Sequence, residues 1–526
     1  MEDNLEETNF DYIVLGTGLI ESILAGSLAR VGKKVLHLDS HQNYGGNWSV
    51  FGFRELAQWC LDRNQVKESV KDNTSINYEE SYGSNFRKVE LKLYPNQQEE
   101  MELDCSKVSD MDKDLVDTWF KQLDSVQEKN MFMDLLKASR SYNLDSTPKL
   151  LGSRGSLVET LISSGVGRYL EFKSVDDIYI FDKDLKSLEK VPSSKEDVFT
   201  NKAVSLIEKR KLMKFLTFAM EYDTSHALLE GTQDMNYIQF LQEKFKITGK
   251  LQEAIVYAIA MVDDKALVKT GLESTHKFVQ AMGRFGKGAY LCPLYGGGSE
   301  IAQAFCRVCA VYGGVYILNQ PLEKYVIDSE TNEIHGIVTK EGQEYKCQKL
   351  IAGIDYLNTS WLSQEKEFGT WISRAIIVTK TPLVSTDTET FVADGLSYAV
   401  FPPGGDAGNT DEPIYSIHQS QESMACPKGQ YVTYLWTTSK QAAVVKKAVD
   451  LLLQNNEQHN VFTAFYEQRV RSAKGLELPK NIIPCSDPSP SLNFQSASEE
   501  AVGIFKQCEP EAEFMPASEQ DPDDDY

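Results

Sequence analysis

Cysteine is scarce and odd in number, nine in 526 residues. The opening MEDNLEETNF is acidic and has neither the basic nor the apolar region of a secretory signal. Sparse thiols without such a signal are expected to stay reduced, in the cytosol. No run approaches the roughly 18 consecutive apolar residues that a membrane-spanning helix needs. Basic residues are in deficit, 54 Lys and Arg against 77 Asp and Glu, for a net charge of −23. That charge repels phosphate backbones and anionic lipid, which counts against nucleic acid as a partner. Metal chemistry also lacks support. Cys306 and Cys309 in FCRVC form one isolated CxxC, with no second ligand pair at finger-like spacing. Two small core residues one helical turn apart explain that pair.

The balance of 41% apolar and 25% charged residues is that of a globular protein and excludes wholesale disorder. At about 150 residues per domain, the length suggests two to four domains. Asp11–Leu15 reads as a buried parallel strand. It is followed by Gly16-Thr-Gly18-Leu-Ile-Glu21 and a segment with Leu19, Ile23, Leu24 and Leu28 at helical spacing, closed by Gly32. Lys34–Leu38 is a second strand ending at Asp39, completing a β-α-β half-unit with parallel strands. Residues 62–141 turn polar and predict a loop-rich insertion with some helix between Val116 and Leu136. Val191 to about Met282 predicts helices. Within them Leu251–Val262 is apolar nearly all round, as in a central core helix or one lining an apolar cavity. Strands recur from Gly313 onward, at Val315–Leu318, Lys324–Ile327, Ile334–Thr339, Leu350–Ala352, Ala375–Val378 and Tyr431–Thr437. The segment from Glu509 ends DPDDDY and predicts a solvated, disordered acidic tail.

The glycine loop follows a strand and opens a helix, and Asp39 lies where a ribose-binding acid belongs. Yet Glu21 occupies the place of the third glycine, where close packing and an incoming pyrophosphate both disfavour a carboxylate. Two anions a few Å apart in a dry site repel by several kcal/mol. A second glycine pair, Gly45-Gly46, lacks the Arg that usually precedes it in flavoproteins; Tyr44 stands there. Ser486 replaces the glycine expected before Asp487. These departures predict a retained dinucleotide fold with no cofactor, the loop of Gly16, Gly18, Glu21, Asp39, Gly45 and Gly46 being vestigial.

The segments GTGLIESILAG (16–26), KKVLHLDSHQNYGGNW (33–48), SRGSLVETLISSGVGRYLEFK (153–173), EKRKLMKFLTFAMEYD (208–223) and YLCPLYGGG…FCRVCAVYGG (290–314) resemble the Rab GDP-dissociation inhibitor and Rab escort protein superfamily. Asn47-Trp48 after the glycine pair, the 62–141 insertion and Phe199 in KEDVFTNK make the chain more similar to the escort branch. The resemblance implies an α/β fold with an FAD/NAD(P)-binding-like large domain (1–61, 142–192 and 283–508) and a smaller all-helical domain (193–282) that holds a prenyl pocket. It implies a non-catalytic subunit that binds GDP-bound Rab GTPases and presents them to the Rab geranylgeranyltransferase heterodimer. The lipidated Rab, with its geranylgeranyl chain sequestered, would then be escorted to membranes through transient contact. Implied Rab contacts are Tyr44, Glu300, Arg307, Val315 and Ile317. A sheet-edge Tyr, an internal ion pair for Arg307 and core packing for Val315 and Ile317 are the alternatives. Implied transferase contacts are Phe199 and Arg210, with a hydrophobic staple as the alternative for Phe199. The rival functions are a dissociation inhibitor that only recycles prenylated Rabs, and an FAD-dependent oxidoreductase.

Overall fold

The computed structural model describes residues 7–62, 74–76, 78–96, 102–103, 109–192, 205–223, 226–362, 368–383, 396–441, 443–453 and 459–517. Phe199 lies outside them.

The first strand, β1 (Asn9–Leu15), alternates Tyr12 and Val14 with Ile13 and Leu15, and both sets are buried. A strand apolar on both faces needs cover on both, which is the parallel α/β arrangement. It pairs in parallel with β2 (Val35–Leu38), Tyr12 opposite Val35 and Leu15 opposite Leu38. The helix between them, α1 (Leu19–Arg30), is buried along all of its residues. Val31 caps it and Gly32 follows at φ +81°, the left-handed exit that glycine takes without strain. The sheet continues with β3 (Val315–Ile317), β4 (Leu322–Ile327), β5 (Ile334–Thr339), β6 (Glu344–Gly353) and β7 (Ile482–Cys485) in the order β3-β2-β1-β6-β5-β4, with β7 alongside β6. The pairs β3–β2, β2–β1, β1–β6 and β6–β7 are parallel, while β5 and β4 turn back antiparallel.

A second, ten-stranded sheet is antiparallel except where Leu396–Phe401 runs parallel to Phe172–Asp182. Sequence periodicity anticipates only part of it. Its outermost strand, Phe86–Leu93, comes from the polar insertion and pairs with Asn460–Val470. The insertion is therefore more structured than its composition suggests. Helices Lys113–Phe120 and Val126–Lys137 bury Leu115, Val116, Trp119, Phe132 and Leu136 in the main core. Few anchors are needed when two of them, Trp119 and Phe132, are large aromatics.

The described part of 193–282 is helical. Its main helices are α2 (Leu206–Met220), opened by a Ser205/Glu208 capping box, α3 (Tyr237–Phe245), capped by Asn236, and α4 (Val268–Ala281). Phe215, Phe218, Phe240 and Phe245 pack ring on ring between α2 and α3. Leu251 and Ala254–Ile259 are buried, and the segment breaks into a π-helical turn from Ala254 to Ile259, whose Ala258 carbonyl accepts from Tyr398 of the second sheet at 2.7 Å. Both readings of that segment keep support: its apolar side chains join the main core, while Leu251, Glu253 and Ala254 also line a cavity of about 400 Å³ and Ile259, Ala260 and Met261 one of about 430 Å³. No helix among the described residues is long and apolar enough to cross a membrane.

The tail is anchored further along than its charge predicts. Helix α6 (Gln495–Cys508) packs on α1, Phe514 meets Phe505 edge to face, and Met515 is buried. Residues 509–517 are thus fixed against the body by two apolar side chains.

Candidate functional site

The crevice at the carboxyl ends of β1 and β2 is where a doubly wound sheet holds a ligand. Here its polar groups are spent on one another. Gly16, at φ +101°, turns the chain sharply, and its carbonyl accepts from buried His37 Nε2 at 2.6 Å. Burial lowers the His37 pKa, which keeps the ring neutral. Asp39 Oδ2 accepts from the Thr17 amide and hydroxyl at 2.7 and 2.6 Å, and Oδ1 accepts from the His41 amide and the Tyr356 hydroxyl. Thr17 Oγ1 in turn accepts from the Gly45 amide at 3.0 Å. The would-be ribose acid is a structural tie between two loops.

Glu21 fills the remaining space. Its carboxylate lies so close to Gly18 and Gly353 that a Cβ on either would sit 2.4 or 2.6 Å from its oxygens. Burial, with the neighbouring carboxylates of Glu500, Asp487 and Asp39, pushes its pKa up to about 8. The cavity left is about 30 Å³, enough for one water. On the flavin side, Arg471 bridges Asp355 and Asp487 at 2.6 and 2.7 Å, and Asn47 Nδ2 donates to both carboxylates. These residues do not fit a dinucleotide cofactor.

The outer face of the same sheet edge is arranged differently. Tyr44 is half-buried on the loop after β2, its ring 6.2 Å from that of Tyr316. Ser299 donates to the Tyr44 carbonyl, tying this loop to α5 (Gly297–Val311). Glu300 lies in the first turn of α5, half-buried, and burial raises its pKa. Arg307, two turns on along the same helical face, is exposed. It makes no internal ion pair among the described residues; its guanidinium stacks 4.3 Å above the exposed ring of Tyr169. The stacked fork keeps its N–H edges free for a carbonyl or carboxylate.

The structure thus brings Tyr44, Glu300 and Arg307 onto one side. Val315 and Ile317 pair with Leu36 and Leu38 of β2 and point with them into the core on the opposite sheet face, half-exposed at the edge. The residue beside Tyr44 is Tyr316, which the sequence reading passed over. Its signal was the alternation of strand faces, since it stands between two aliphatic residues on an edge strand. Arg210 is exposed on α2, and the same end of that helix exposes Leu206 by 75% and Ile207 by 67%.

The family model described as GDI, GDP dissociation inhibitor, matches residues 5–79 and 114–509, leaving out the middle of the polar insertion. The chain belongs to the GDP dissociation inhibitor family. Among its relatives, the human Rab proteins geranylgeranyltransferase component A 2 is 30% identical, across 98% of this chain and 93% of that protein. The Rab GDP-dissociation inhibitor of Saccharomyces cerevisiae is 28% identical, across 96% of each. Rab GDI from Plasmodium falciparum superposes with a TM-score of 0.67 over 96% of this chain and 99% of that one, at 20% identity. An oxidoreductase from Methanosarcina mazei superposes with a TM-score of 0.51 at 13% identity, over 94% of this chain and 100% of that one. The last two likenesses establish a dinucleotide-type fold.

Proposed function

We propose that the chain is a non-catalytic Rab-binding subunit of the escort type. It binds GDP-bound Rab GTPases, presents them to Rab geranylgeranyltransferase and carries the lipidated product to membranes from the cytosol. The observation that carries this reading is the pairing of a closed crevice with an open Tyr44–Tyr316–Glu300–Arg307 face on the same sheet edge. Near-full-length similarity to proteins named as transferase component A supports the escort branch.

The mechanism is one of linkage. A GDP-bound GTPase has mobile switch segments that adapt to a rigid aromatic and Arg face, so binding favours that state. Tyr and Arg are the side chains that anchor such interfaces. Holding the GTPase body here raises the effective concentration of its C-terminal segment at a transferase docked elsewhere on the chain. Transfer then needs no sequence-specific reading of the cysteines. Arg210, beside exposed Leu206 and Ile207, and Phe199 are the proposed transferase contacts. The helical unit of 193–282 is the proposed lipid host, where burying the chain keeps apolar surface from water. Release falls to the membrane, which offers the lipid a competing apolar phase.

The yeast relative named as a dissociation inhibitor supports a second reading, recycling without presentation. Reconstitution separates the two. Unprenylated Rab, transferase and lipid donor should yield prenylated Rab much faster with this protein than without it. Equal yields would sink the escort reading. Binding of prenylated GDP-Rab alone would leave the recycling one.

A further inference from the structure

A groove of about 790 Å³ opens beside α1, away from the crevice. Its rim carries the exposed apolar side chains Ile162, Tyr169, Phe285 and Val311, between 46% and 55% exposed. Four such residues around one groove make a contiguous patch of the kind that marks an interaction site. In a chain of net charge −23, no described residue lining the groove is acidic, and two are arginines, Arg30 and Arg168. Arg307 reaches the same rim through its stack on Tyr169.

Arg30 is 9% exposed. Its Nη1 donates to the Ser164 carbonyl at 2.8 Å and its guanidinium lies over the Tyr312 ring, 5.1 Å to the centroid, while Nε and Nη2 find no hydrogen-bond partner among the described residues. A buried guanidinium with two idle donors calls for an anion near it.

An acidic stretch follows, in sequence, the last described residue at this groove. Buried Met515 pins the preceding segment beside α1, and Ala517 lines the groove. The next residues, Ser518–Tyr526, include Glu519, Asp521, Asp523, Asp524 and Asp525. At about 3.3–3.6 Å per residue, the stretch from Ala517 to Asp523 spans roughly 20 Å, enough to cross the groove. So short a tether gives a local concentration of order millimolar.

We propose that the groove lined by Arg30, Arg168 and Tyr169 is a docking surface for the chain's own acidic segment Glu519–Asp525, held in cis by the Met515 anchor. The carboxylates meet the arginines, and the rim supplies the apolar floor. The inference is independent of what binds the neighbouring Tyr44 face.

The test uses full-length chains and a fluorescein-labelled peptide of residues 516–526. One chain is wild type; the other carries E519Q, D521N, D523N, D524N and D525N. The neutralised chain should bind the peptide at least about tenfold more tightly than wild type, whose groove is already filled. That binding should weaken about tenfold between 50 and 300 mM salt, and a further Arg168→Glu should abolish it. Backbone amides of Ser163–Tyr169 should exchange several-fold faster in the neutralised chain than in wild type. Equal peptide binding to the two chains would show an open groove serving another protein's acidic segment, and overturns the proposal. Absence of binding to the neutralised chain, or unchanged exchange at Ser163–Tyr169, overturns it as well.

Discussion

The crevice and the outer face are built from neighbouring pieces of one sheet edge, and they treat polar groups in opposite ways. In the crevice, Asp39, His37, Thr17, Arg471, Asp355 and Asp487 are buried and bonded to one another. On the outer face, Arg307 is exposed with its N–H edges unengaged among the described residues, and Tyr44 and Glu300 are half-buried. A polar group satisfied internally has nothing left to offer a ligand, whereas one held rigid and left open does. The crevice therefore stabilises the fold, and the proposed function assigns recognition to the face outside it.

The harshest way to break this contrast is at Arg471, which is 1% exposed between two carboxylates. Arg471→Met leaves Asp355 and Asp487 buried without their cation and should cost about 3–5 kcal/mol of stability. Chemical denaturation measures it; a loss under about 1 kcal/mol would mean the crevice is not the structural tie described. Glu21 gives the next largest effect, with a sign set by protonation. Its carboxyl titrates near 8 in the fold against 4.5 when free. The folded state keeps a proton that the unfolded chain gives up between those values. Stability should thus fall as pH rises from about 4.5 to about 8, by a few kcal/mol, and level off above. Glu21→Gln should remove that slope, and its advantage over wild type should be larger at pH 8.5 than at pH 5. Identical pH profiles would place the Glu21 carboxylate in a wetter setting than its packing against Gly18 and Gly353 indicates.

Much of the crevice was legible because its parts are local. A strand, a glycine turn, a helix and an acid at fixed spacing define the β-α-β unit, and Glu21 in place of a glycine signals the plug. Its closing partners were not legible. Tyr356, Asp355 and Arg471 arrive from more than 300 residues away, and no periodicity announces them. The same limit hid the strand Phe86–Leu93. Half of its side chains are charged, and the alternation of Val89, Leu91 and Leu93 with them is short and set in a polar stretch; Asn460–Val470 supplies the edge it pairs with. On the outer face, Glu300 and Arg307 came from the family resemblance, and helical spacing then sets them on one face of α5; for Val315 and Ile317, partner contact and core packing both stood open, and the choice turned on which way an edge strand faces them.

That question yields a sharper comparison. Tyr316→Ala strips the ring beside Tyr44 and should weaken binding of GDP-loaded Rab by about 1–2 kcal/mol, roughly tenfold, as for an interface aromatic. Arg307→Ala should cost a similar amount and leave the melting temperature unchanged, since the side chain is exposed. Val315→Ala should do the reverse, lowering stability by about 1 kcal/mol with little change in binding, because its side chain packs on the core. Calorimetric titration paired with thermal melts reads both. If Val315→Ala weakens Rab binding more than Tyr316→Ala does, the interface wraps round the sheet edge to its other face.

The smallest effect is expected far from both regions, on α2. Arg210 is exposed and sits one turn beyond Leu206 and Ile207, which together present an apolar patch with one cation at the start of a well-capped helix. Rim charges contribute little, so Arg210→Ala should weaken transferase capture by only two- to threefold, under about 1 kcal/mol, and more visibly at low salt. Leu206→Ala and Ile207→Ala together should cost more, since that is the apolar area a partner removes from water. Neither change should alter Rab affinity, because Tyr44 and Tyr316 belong to the sheet of β2 and β3 and α2 contributes nothing to the proposed Rab face. A surface plasmon titration of transferase over immobilised chain, repeated at two salt concentrations, tests the ranking. If both α2 changes leave transferase capture untouched, the docking surface lies elsewhere and the exposed end of α2 needs another partner.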